Sequence, residues 1–104
     1  MAERTKPEWT FLTNHGHVLV CLAQEDDIRG RDIAEQVGIT ERAAQAIIAD
    51  LVAEGYVTRT KEGRRNRYEV HADAPLRHPL EDDHTVGELL VTLGKLQPAR
   101  GAAS

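Results

Sequence analysis

Between residues 31 and 70 the apolar residues recur first at helical spacing and then, past Gly55, at strand spacing. Ala44, Ile48 and Leu51 fall at i, i+4 and i+7 with Ile47 and Val52 beside them, which makes one apolar face of a helix over 40–54. Thr40 is suited to cap its first turn, because the hydroxyl can accept from an otherwise unpaired backbone N–H, and Gly55 supplies the stop. Upstream, 31–37 reads as a short helix with Ile33, Ala34 and Val37 inward, followed by the tight turn Gly38-Ile39-Thr40. Downstream, Val57 set against Thr58 and Thr60, then Tyr68 and Val70 after Glu62-Gly63, predicts a two-stranded hairpin. Helix, turn, helix and hairpin in that order restrict the chain to very few small folds.

The helix face opposite the apolar stripe carries Arg42, Ala43, Gln45, Ala46 and Ala49, while Asp50 and Glu54 come only toward its end. Such a gradient suits entry into a major groove by the N-terminal half: the alanines permit close approach, Arg42 can pair with guanine and Gln45 with adenine. The hairpin holds Arg59, Lys61, Arg64, Arg65 and Arg67, with Asn66 among them, against Glu62 and Glu69. It is therefore positive although the whole chain carries −4. Affinity for a polyanion follows charges within a Debye length, about 8 Å at physiological salt, rather than the total. The acid is concentrated elsewhere, at Glu25-Asp26-Asp27 and Glu81-Asp82-Asp83.

Taken together, GITERAAQAIIADLVAEGYV followed by GRRNRYEV resembles the winged helix-turn-helix of small prokaryotic transcriptional regulators of the MarR and ArsR type, over roughly 14–70. The resemblance implies an α+β, mostly helical fold with a β-hairpin wing and an extra C-terminal helix. It implies a sequence-specific double-stranded DNA-binding regulator, most simply a repressor, acting as a homodimer on a pseudo-palindromic operator. In that picture Arg42 and Gln45 read bases from the major groove. Thr40, Glu41, Ala43 and Ala46 line the approach, and Arg64 and Arg65 lie on the flanking minor groove beside Asn66. Arg31, Arg59, Lys61 and Arg67 take phosphates. The resemblance also implies that Ile28 supplies a short strand completing a three-stranded wing sheet, and that a small-molecule effector could lodge between the dimer helices. A winged module for protein–protein contact without specific DNA binding stays open as the alternative.

A chain of 104 residues supports one small domain. Residues 1–13 form an arm in which Trp9, Phe11 and Leu12 are more apolar than an arm requires. A helix from Thr13 or Asn14 to Ala23 or Gln24 opens the winged domain, 14–70, and 71–84, with two prolines, is a connector. Thr85-Val86-Gly87-Glu88 has the form of a capping box and opens a helix over 85–97, ahead of a disordered tail at 98–104. Its face of Val86, Leu89, Leu90, Leu93 and Leu96 is surplus to a winged domain, so with Trp9, Phe11 and Leu12 it is assigned to the dimer interface.

Other chemistry finds little support. The one serine is Ser104, no glycine loop cradles a phosphate, and no histidine–carboxylate pairing stands out, so no catalytic residue is assigned. His17 and Cys21 stand four apart with His15 nearby, and His71, His78 and His84 lie in or beside the connector, but the dense spacing of a zinc site is missing. No metal or cofactor is assigned, and Cys21, the single cysteine, reads as a small core hydrophobe. MAERTKPEWTF has no apolar leader core and no run approaches the ~20 apolar residues of a membrane span, which places the chain in the cytoplasm, on the nucleoid when bound.

Overall fold

The structure, a computed structural model, describes residues 7–95. Thr13 opens α1 (Asn14–Gln24) by accepting the Gly16 N–H on its hydroxyl, and Val18, Leu19, Cys21 and Leu22 turn inward. α2 (Gly30–Val37) buries Ile33 and Ala34, and α3 (Glu41–Ala53) buries Ala44, Ile47, Ile48 and Leu51. Gly38 joins them at φ 87°, a left-handed conformation that costs glycine nothing and reverses the chain in one residue. Thr40 Oγ1 accepts the Ala43 N–H at 3.0 Å, so the expected cap of α3 is present.

β1 (Val57–Glu62) and β2 (Arg65–Val70) form the antiparallel hairpin, with Val57 opposite Val70 and Glu62 opposite Arg65 across the turn at Gly63-Arg64. Only Val57 and Tyr68 are buried, so the hairpin is rooted in the core and its outer part stands in solvent on both faces. The expected third strand at Ile28 does not form: among the described residues the sheet has two strands. The backbone explains this. Ile28 N–H turns back to the Glu25 carbonyl at 3.3 Å, and the 25–29 loop reaches β2 through one bond, Tyr68 N–H to the Asp26 carbonyl at 2.7 Å. Ile28 is nonetheless a core residue.

The largest departure from expectation is α4 (Val86–Thr92). The capping box is present: Glu88 N–H donates to the Thr85 hydroxyl and Thr85 N–H to the Glu88 carboxylate at 2.7 Å. The helix is shorter than the expected 85–97, ending at Thr92, and Leu96 lies outside the described residues, as do most of the arm and the tail. Val86 and Leu90, 1% and 0% exposed, lie in the chain's own core, so they are not part of a free face for a second copy. The winged unit is thus not complete without this helix. The reason lies in the 71–84 segment, which folds back on itself. Gly87 N–H donates to the Ala72 carbonyl at 2.7 Å, Val86 N–H to Ala74 at 2.9 Å, and the Tyr56 hydroxyl to Pro75 at 2.7 Å. A Cβ on Gly87 would lie 2.7 Å from the Ala72 carbonyl oxygen, so glycine is what lets the two backbones meet.

No helix among the described residues is long and apolar enough to cross a membrane.

Candidate nucleic-acid interface

The surface presented by α3 begins at its N-terminus, where backbone N–H groups and the positive end of the helix dipole favour an anion. Arg42, Ala46 and Ala49 are exposed there, Ala43 and Gln45 half-buried. Gln45 does not simply point to solvent. A Cβ on Gly30 would collide with its amide nitrogen and would stand 3.4 Å from a Glu41 carboxylate oxygen, so both side chains lie over the first turn of α2. Arg29 and Arg31, both exposed, flank that glycine. The sequence reading included Arg31 and overlooked Gly30 and Arg29, because a contact made across 15 residues leaves no local pattern.

The wing divides its cations between two faces. Strand alternation and the register put Arg59 and Lys61 on one face with Asn66 and Tyr68, and Arg65 and Arg67 on the other with Glu62 and Glu69. Among the described residues the side chains of Arg31, Arg42, Arg59, Lys61 and Arg64 make no hydrogen bond or ion pair. Arg65 and Arg67 are engaged. Arg65 Nη2 donates to the Asp27 carbonyl at 2.6 Å and lies 3.8 Å from its carboxylate. Arg67 donates from Nε to Glu62 and from Nη1 to Asp26, each at 3.0 Å. The Glu62 hydrogen bond, with Asp26 in support, raises the Arg67 pKa further above its ordinary value. The expectation that the wing has few acids near it therefore needs correction: Asp26 and Asp27 arrive from the loop between α1 and α2.

The histidines and cysteine are occupied by ordinary packing. The His71 ring spans the Gly55 carbonyl at 2.8 Å and the Thr58 hydroxyl at 2.6 Å, and His15 meets Asp50 at 2.8 Å. His17 faces Asn14, and the Cys21 thiol donates to Gln36 Oε1 at 3.5 Å, with burial pushing its pKa up. A raised pKa leaves less thiolate, the form that reacts and binds metal. Among the described residues no three His, Cys, Asp or Glu side chains gather as metal ligands would.

Residues 13–65 match the model of the MarR family, which is half of the chain. The chain belongs to the MarR family. Its helix-turn-helix is accordingly that of a DNA-binding transcriptional regulator, as the sequence resemblance implied. No curated protein sequence matches it. Among solved structures it is similar to the PcaV transcriptional regulator of Streptomyces coelicolor, crystallised with its natural ligand, at 20% identity over 88% of this chain and 67% of that one, TM-score 0.54. It is also similar to IscR of T. potens, at 17% identity over 92% and 96% of the two chains, TM-score 0.55. MepR, the Staphylococcus aureus regulator of the multidrug efflux pump MepA, shares 23% identity over 56% of this chain, TM-score 0.49, and the chain spans 45% of its length. At these identities the structural likeness concerns the fold.

Proposed function

We propose that this MarR-family chain binds a specific double-stranded operator as a homodimer and represses by occupying it. The observation that carries the reading is the set of unpaired side chains on the α3 N-terminal face and the wing, Arg42, Arg59, Lys61 and Arg64, in a chain whose net charge is −4. A negative molecule that keeps cations unpaired around one helix N-terminus is arranged for a local polyanion. Arg42 reads the major groove, Gln45 contributes from its position over Gly30, and Arg64 at the hairpin tip enters the minor groove. Arg31, Arg59 and Lys61 hold phosphates.

With Val86 and Leu90 in the monomer core, the proposed dimer surface falls to Trp9, Phe11, Leu93 and the half-buried Leu89. Trp9 and Phe11 are 69% and 93% exposed and stack edge to face at 5.1 Å, and a monomer leaves that much aromatic surface wet at a cost. The same side of the molecule carries a cleft of about 690 Å³ lined by Leu12, Leu19, Leu51, Tyr56, Leu76 and Leu89, within the size range of small-molecule sites. It is the place for an effector, a role supported by the ligand complex of PcaV.

Selection from a random duplex library with the purified protein tests the reading. An enriched inverted repeat with half-sites about 34 Å apart is the expected result, and it weakens when Arg42 and Arg64 are changed to alanine. Failure to enrich any sequence at low salt, where phosphate contacts are strongest, overturns it and leaves the protein-contact module standing.

A further inference from the structure

Resting on the proposed DNA reading, we infer that Asp26 and Asp27 hold Arg65 and Arg67 in a self-neutralised arrangement that duplex DNA has to open. The α1–α2 loop thereby sets the affinity and salt dependence of the wing. The contacts are specific. Asp27 takes Arg65 through both its carbonyl, at 2.6 Å, and its carboxylate, at 3.8 Å, while Asp26 and Glu62 hold two separate nitrogens of Arg67 at 3.0 Å. The loop is fixed in place independently of these side chains, because the Asp26 carbonyl accepts the Tyr68 N–H at 2.7 Å and Ile28 is buried. Two carboxylates are thus presented to β2 by the backbone.

These ion pairs are close to half exposed, so water and salt screen them and they exchange readily. A phosphate competing for Arg65 or Arg67 must displace an acid that then remains beside the polyanion. The net gain per arginine is small, and the unpaired Arg59, Lys61 and Arg64 carry the wing's contribution. Removing the acids should convert Arg65 and Arg67 into full phosphate contacts, each of which steepens the plot of log affinity against log salt by about 0.9.

The test compares the native protein with D26N/D27N on the selected operator across a salt series. Asparagine keeps the backbone bond to Tyr68, and an unchanged thermal unfolding curve verifies that the fold is intact. D26N/D27N should bind more tightly at low salt, with a slope steeper by about one to two per protomer. In that background R65A/R67A should remove the gain, whereas in the native background it should change affinity little. A control, D73N/D82N, removes the same charge from exposed sites away from the wing. If the control matches D26N/D27N, the effect is one of total charge and the proposal is overturned. If D26N/D27N binds more weakly, the aspartates instead orient the arginines for DNA, which also overturns it. If neither native protein nor variant binds any duplex at low salt, the DNA reading itself falls and takes this one with it.

Discussion

Gln45 shows what a single residue gains from its neighbours. Its place on the outer face of α3 follows from the spacing of Ala44, Ile48 and Leu51, and in isolation it is an exposed reader of adenine. In the folded chain Gly30 removes the one atom that would occupy its amide, and the side chain settles half-buried over the start of α2. Gly30→Ala is therefore expected to leave stability nearly unchanged, since only the flexible end of Gln45 must move, while altering base preference at one operator position. Library selection with the variant checks this. An unaltered motif would show that Gln45 does not read a base. Arg42 differs in having no protein partner, so Arg42→Ala should cost about 1–3 kcal/mol of binding and relax specificity at one position.

At the scale of elements, α4 is the informative case. Its apolar positions were visible in the sequence, as was its cap, but one amphipathic face can serve a dimer or the chain's own core. The bonds from Ala72, Ala74 and Pro75 decide for the core at Val86 and Leu90. Leu90→Ala should therefore cost about 2–5 kcal/mol of unfolding free energy, whereas Leu93→Ala, at a position 42% exposed, should cost little when measured on monomer. The cap adds a pH signature. The Thr85 backbone N–H, helped by His84, holds the Glu88 carboxyl below its ordinary pKa. A depressed carboxylate stabilises the fold above its unfolded value, about 4.3, and the contribution is lost as pH falls through the lower folded value. Thermal unfolding should show the native protein above Glu88→Gln at neutral pH, with the gap closing in acid.

At the scale of the whole molecule, charge and exposed apolar surface point to two different partners. The cations gather on α3 and the wing, and Trp9, Phe11 and Leu93 form part of the exposed apolar surface. The proposed dimer predicts that sedimentation equilibrium finds a two-fold species in the native protein and monomer in a Trp9→Ser/Phe11→Ser variant with unchanged far-ultraviolet circular dichroism. Equal association by both proteins would remove the aromatic pair from the interface. The sequence alone determined the caps at Thr13, Thr40 and Thr85, the helical and strand periods, the hairpin turn and the family, because each is written in residues a few positions apart and in local backbone preference. Only the tertiary structure decided that Ile28 packs without pairing as a strand, that α4 belongs to the core, that Gln45 rests on Gly30 and that Asp26 and Asp27 reach the wing arginines. The physical reason is common to all four. Each is set by which segments share a space after the chain has closed loops of 15 to 41 residues, as between Gly30 and Gln45 or Asp26 and Arg67, and burial or pairing at such separations leaves no periodic trace in the sequence.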